Sequence, residues 1–249
     1  RSRSIGYTCS QEFDYGPLHR FLGLAVNNVG DPFSGSNYQL NTHLIEREVL
    51  ADFARFAGFA EEEIEGAGRA FWGYVTNGGT EGNMYGLYLA RELFPEGIVY
   101  FSEDTHYSVS KILRLQHTRN IMIRSQPDGE MDYADLEESL RIHRDTPPIF
   151  FLNAGTTMTG AVDRVDRVLD MARRLCLPHH YIHVDAALSG MILPFVENPP
   201  PWNFSAGIDS LSISGHKMLG SPLPCGVALA RKNHVDRVAR SVEYIGALD

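Results

Sequence analysis

VTNGGTEGNMYGLYLAREL, residues 75–93, changes its period half-way along. Val75 and Thr76 close a short β-branched and aromatic run, Gly78 and Gly79 follow, and from Thr80 onward the pattern is helical. A strand that runs through glycines into a helix is the unit from which parallel sheets covered by helices are assembled. The backbone N–H groups at the start of such a helix, with its positive dipole end, suit an anion. The stretch lacks GK[ST] and does not match G-x-G-x-x-G, which excludes the ordinary nucleotide loops. A tight turn needing Gly78 and Gly79 for backbone geometry alone is the simpler alternative.

Outward from this stretch, the same alternation continues to residue 231. The runs at 72–77, 97–102, 120–124, 148–153, 181–186, 210–214 and 226–231 are expected strands. Between them, 163–176 carries Val165, Val168, Leu169, Ala172 and Leu175 at the spacing of one helix face, and 133–144 is a helix opened by Asp132 as N-cap. Upstream, 43–58 is a third helix, with Leu44, Val49, Leu50, Phe53 and Phe56 available for docking. ENPPPWN at 197–203 reads as a rigid surface connection, and SVEYIGALD at 241–249 as a helical pattern that stops at Asp249. The expected fold class is α/β, a mainly parallel seven-stranded sheet with helices on both faces. Residues 1–60 form an N-terminal segment with a docking helix and 61–249 the large domain.

Composition narrows the function. A chain of 249 residues, 43% hydrophobic, can bury a large core. A formal charge of -9 offers no basic stripe for phosphates along a duplex, so no nucleic-acid partner is expected. Cys9, Cys176 and Cys225 are odd in number and lack CxxC spacing, which argues for a reducing, cytoplasmic setting and against a structural metal site. No apolar run approaches the roughly 20 residues that span a bilayer, and no membrane partner is expected. HExxH and G-x-S-x-G are absent, which removes zinc and serine hydrolases.

Ligands of doubly wound sheets sit beyond the carboxyl ends of the strands, and chemistry-bearing residues collect there. His106 follows the second strand; alone, a histidine beside a tyrosine is more often structural. Lys111 belongs to the solvated face of the next helix. Asp185 ends an apolar run and needs a cationic partner to stay charged, either an arginine or a protonated ligand nitrogen; Ala186, Ala187 and Gly190 leave room beside it for something flat. Lys217, one of three lysines, follows a strand in which Leu211 and Ile213 alternate with serines. Desolvation lowers an amine's pKa, and a neutral amine attacks a carbonyl, although a single such lysine more often snorkels to the surface. An anion cup, a buried carboxylate and a reactive amine after three strands of one sheet are together what pyridoxal 5'-phosphate requires.

TNGGTEGN, SEDTHYSVSK, HVDAALSGMILPF and SGHKMLGSPLPCG, in this order, resemble the group II pyridoxal-phosphate-dependent amino-acid decarboxylases. With NNVGDPFSGSNYQLNTHLIEREVL upstream, the likeness covers nearly the whole chain and is greatest to the bacterial histidine decarboxylases. The resemblance implies the aspartate-aminotransferase-type fold and decarboxylation of an L-amino acid, foremost L-histidine to histamine. It implies that Lys217 binds the cofactor aldehyde, Asp185 pairs with the ring nitrogen, and His106 and Ala187 flank the ring. Gly79, Thr80, Ser214 and His216 would serve the phosphate, in a homodimer with shared active sites. It also implies a small C-terminal domain beyond Asp249, without which the pocket is incomplete and turnover slow. Serine decarboxylases share HYSV and SGHK, so serine is an alternative substrate, as are aromatic amino acids; a non-catalytic scaffold of the same fold is the alternative outside enzymes.

Overall fold

In the run PIFFLN at 148–153, Phe150 and Leu152 enter one hydrophobic core while Ile149 and Phe151 enter another. Side chains of a strand alternate between faces, so a run that is apolar at every position must be covered on both sides. The structure, a computed structural model, describes residues 14–35, 37–243 and 247–248. Strands β1 (Phe71–Thr76), β2 (Ile98–Ser102), β3 (Asn120–Ile123), β4 (Pro148–Asn153), β5 (Tyr181–Asp185), β6 (Ser210–Ser214) and β7 (Gly226–Arg231) form one sheet. Their order is β1-β7-β6-β5-β4-β2-β3. Strand β7 is antiparallel to both neighbours and the remaining pairs are parallel.

Helices cover each face according to where their apolar residues fall. On one side, Leu87, Leu89 and Ala90 of α3 (Gly79–Leu93) and Val109, Ile112 and Leu113 of α4 (Ser108–Leu115) meet Val99, Phe101, Ile149 and Phe151. On the other, α1 (His43–Phe56), α5 (Tyr133–Ile142) and α6 (Val165–Arg174) bring Leu50, Phe53, Leu136, Leu140, Val165, Val168 and Met171 onto Tyr100, Phe150, Leu152, Ile182 and Val184. Asp132 caps α5 as its side chain type predicts: its carboxylate accepts the N–H groups of Ala134 and Asp135. Two short helices, α2 (Glu61–Ile64) and α7 (Lys232–Val235), complete the body.

Four expectations are corrected. The last residues are not helical: β8 (Ser241–Val242) pairs antiparallel with β9 (Ala247–Leu248), while 244–246 and 249 lie outside the described residues. The 197–203 connection is exposed only in its first half, because Trp202 and Phe204 turn inward to the core beside Phe59. Leu44 of α1 stays 63% exposed; docking falls to Leu50, Phe53 and Ala54, about two to three turns later. Gly190 opens no space for a ligand, since a Cβ there would meet the Ala186 carbonyl oxygen at 2.6 Å and Ile213 at 2.8 Å.

The face carrying α3 has an unusual composition along β5 and β6. Tyr181, His183 and Asp185 alternate onto it from β5, and Ser210, Ser212 and Ser214 from β6, while Ile182, Val184, Leu211 and Ile213 go to the opposite core. Small polar residues on the strands let α3 lie close. A Cβ at position 82 would be 2.6 Å from that of Ser212, and one at position 86 would be 2.1 Å from His183 Nδ1. The glycines of GTEGNMYG thus admit the helix to the sheet, and Asn83 between them points into the polar strip.

Candidate active site

The cleft opens where β1, β5 and β6 end, at the N-terminus of α3. It holds about 560 Å³ and is lined by Gly79, Thr80, His106, Asp185, Ala187, Ser214, His216 and Lys217 together with Tyr74, Asn77, Gly78, Glu81, Asn83 and Met84. All eight residues that the resemblance assigns to the cofactor therefore converge on one space. Among the described residues no group of histidine, cysteine and carboxylate side chains could hold a metal.

Gly78 has φ 139°, a conformation that L side chains avoid, and this turn swings the chain from β1 into α3. The Gly79 N–H donates to Ser214 Oγ at 3.2 Å, which ties the first turn of α3 to the end of β6. A Cβ on Gly79 would lie 2.8 Å from both the Ala187 Cβ and Ser214 Oγ, so the wall can be built only with glycine. His216 Nδ1 sits 3.0 Å from the Cys225 carbonyl oxygen, which holds the ring against Gly78. Lys217 follows in the turn after β6, half-buried.

Asp185 is 8% exposed and its partners are not the cation its burial suggested. Asn83 Nδ2 donates to Oδ2 at 2.7 Å and the Ala187 N–H donates to Oδ1 at 3.0 Å. Dipoles thus compensate the carboxylate from the protein side while it remains in the wall of the cleft. Across the cleft, the Ser108 N–H and hydroxyl lie 3.4 and 2.8 Å from His106 Nδ1. Burial lowers the pKa of His106; Asp185 opposes this, and Lys217 and Lys111 reinforce it. The ring is therefore neutral at pH 7, its Nδ1 accepting from Ser108. Lys111 keeps to the surface over the Tyr107 ring, as expected.

Sequence reasoning overlooked Asn83, Tyr74, Asn77 and Glu81. Glu81 accepts the Asn77 N–H and side-chain amide through Oε2. Its charge also raises the pKa of the Tyr74 hydroxyl, for which burial is the larger cause. The signal for Asn83 was present: it adjoins Gly82, and glycines at 79, 82 and 86 mark the helix face pressed against the sheet.

The family profile described as "Pyridoxal-dependent decarboxylase conserved domain" matches residues 88–246. The chain belongs to the pyridoxal-dependent decarboxylase family. Within that family it is similar to a histidine decarboxylase of Klebsiella aerogenes, 50% identical over 250 residues, 99% of this chain and 64% of the relative. A histidine decarboxylase of Pseudomonas entomophila (strain L48) is 48% identical over 99% of this chain and 60% of its own length. The chain thus spans somewhat under two thirds of these curated relatives. Among solved structures, L-methionine decarboxylase from Streptomyces sp.590 with L-methionine methyl ester superposes with TM-score 0.83 at 25% identity, over 98% of this chain and 67% of that one. Oryza sativa TDC with PLP and tryptamine gives TM-score 0.67 at 24% identity, over 81% and 45% of the two chains. The fold is that of the pyridoxal-phosphate fold type I decarboxylases, represented by the large domain.

The cleft of this pyridoxal-dependent decarboxylase family member suits the cofactor. Gly78 and Gly79 bring the N-terminus of α3 to the cleft wall beside Thr80, Ser214 and His216, which fits a phosphate. A carboxylate held by two N–H donors at one end of the cleft fits a protonated ring nitrogen, and a lysine amine fits an aldehyde.

Proposed function

We propose that this protein decarboxylates an L-amino acid with pyridoxal phosphate, and that the amino acid is L-histidine. The observation that carries the reading is the joint opening of the Lys217 amine, the Asp185 carboxylate and the Gly78–Gly79 turn onto one cleft. When bound, pyridoxal phosphate supplies an aldehyde that links to an amine and a ring that takes up electrons from the bond being broken. Lys217 would hold the cofactor through its aldehyde, and its amine opens onto the same cleft. Asp185 would hold a proton on the ring nitrogen, which would favour electron uptake by the ring. Gly79, Thr80, Ser214 and His216 would hold the phosphate at the positive end of α3. His106 and Ala187, both in the cleft wall, would flank the ring. A neutral His106, held by Ser108, can lie on a cationic ring without repulsion.

Histidine is favoured among substrates by the identity of 48–50% to the two histidine decarboxylases over nearly the whole chain. We take 61–249 to be the cofactor-binding large domain and 1–60 an N-terminal segment with a docking helix, in a cytoplasmic homodimer with shared active sites. Among the described residues, Phe21, Leu22, Leu24, Leu40, Leu44 and Ile45 are all at least 48% exposed, apolar surface that a second copy would cover.

Reduction of the cofactor-loaded protein with borohydride, then peptide mass analysis, tests the chemistry. A pyridoxyl mass on Lys217 is the expected result, and an unmodified lysine removes the proposal in favour of a scaffold. Release of CO₂ from histidine over serine and aromatic amino acids tests the substrate; preference for another member of the panel reassigns it.

A further inference from the structure

Beneath the cleft, a line of hydrogen bonds runs away from Asp185. Asn83 Oδ1 accepts from His183 Nε2 at 3.0 Å and from the Ser212 hydroxyl, and His183 Nδ1 lies 2.7 Å from Ser210 Oγ. The donors can be assigned from one end, because an ionised carboxylate only accepts. Asp185 Oδ2 therefore faces the NH₂ of Asn83, which turns Asn83 Oδ1 toward His183 and requires the proton on Nε2. Nδ1 is then an acceptor for the Ser210 hydroxyl. Both acceptor positions of Asn83 Oδ1 are filled, and a flipped amide would set its oxygen against the Asp185 carboxylate, acceptor against acceptor. His183 is wholly buried, and the glycine at 86 leaves the space its ring occupies.

We infer that Asn83 and His183 are positioning residues that orient the Asp185 carboxylate toward the ring nitrogen of the cofactor without neutralising it. The inference rests on the assignment of Asp185 made above and extends it to two residues of α3 and β5. An arginine or an imidazolium in the place of Asn83 would hold the carboxylate equally firmly but would satisfy its charge. An amide backed by a neutral imidazole supplies direction and leaves the negative charge for the ligand. His183 is kept neutral by its burial, since no carboxylate is bonded to it.

The test compares binding of pyridoxal phosphate with that of its 1-deaza analogue, in which CH replaces the ring nitrogen, by absorbance titration of the cofactor-stripped protein. Wild type should prefer the natural cofactor. Asn83→Ala should reduce that preference about tenfold, as loss of a hydrogen bond to a charged group does. His183→Phe should reduce it less, and His183→Gln, which keeps a donor near the Nε2 position, should retain most of it. The preference is a ratio measured on the same folded protein, so a variant that is merely less stable leaves it unchanged. Variants that keep the wild-type preference, or weaken both ligands alike, overturn the positioning role while the Asp185 assignment stands. A wild type indifferent to the ring nitrogen overturns both.

Discussion

A methyl group at position 86 would lie 2.1 Å from His183 Nδ1. In an exposed helix interior, glycine to alanine gains up to about 1 kcal/mol. Here the sign reverses: Gly86→Ala should destabilise by roughly 1–3 kcal/mol through overpacking, read as a lower urea midpoint. His183 itself links stability to pH. Burial pushes it from 6.5 to about 3, so the unfolded chain takes up its proton first, and stability falls as the pH drops from 6.5 toward 3. Asp163 acts in the opposite direction. Burial raises it from 3.8 to about 6 against the pull of the Asn153 and Met131 N–H groups, so the folded chain binds that proton first. The stability contributed by Asp163 grows as the pH falls from 6 to 4. His183→Gln removes the first effect and leaves the second, so its urea midpoint should decline less steeply below pH 6.5 than that of wild type. Parallel curves would show that His183 is not a buried neutral group.

At the scale of elements, α5 offers a test separate from the cleft. Asp132 accepts the Ala134 and Asp135 N–H groups at 2.9 and 3.1 Å. Asp132→Ala should cost about 1 kcal/mol and lower the melting temperature by about 2–4 °C, with cofactor affinity unchanged. All seven strands of the large sheet were legible to within one or two residues, because β-branched and aromatic runs between glycines and prolines are local signals. The antiparallel setting of β7 was not, since GVALAR is apolar whichever way it runs. Trp202 was missed for a related reason: the prolines that predict a surface connection say nothing of the indole that follows them.

For the molecule as a whole, the exposed apolar side chains between Phe21 and Ile45 should place two chains together in solution. Sedimentation equilibrium should return twice the chain mass, and Leu22→Asp combined with Leu44→Asp should shift it toward one; a single-chain mass for wild type ends the homodimer reading. No helix among the described residues is long and apolar enough to cross a membrane. The amino-acid sequence by itself determined the alternation of strands and helices and the positions of His106, Asp185 and Lys217 at or just past three strand ends. Periods of two and of 3.6 are local properties, and ligands of such sheets collect at one edge. Only the tertiary structure decided what partners Asp185 takes. Asn83 is 102 residues away from it along the chain, and the two meet because α3 crosses β5 and β6 closely enough for an amide to reach. Such an approach depends on the side chains that several distant segments do without, and no single segment records it.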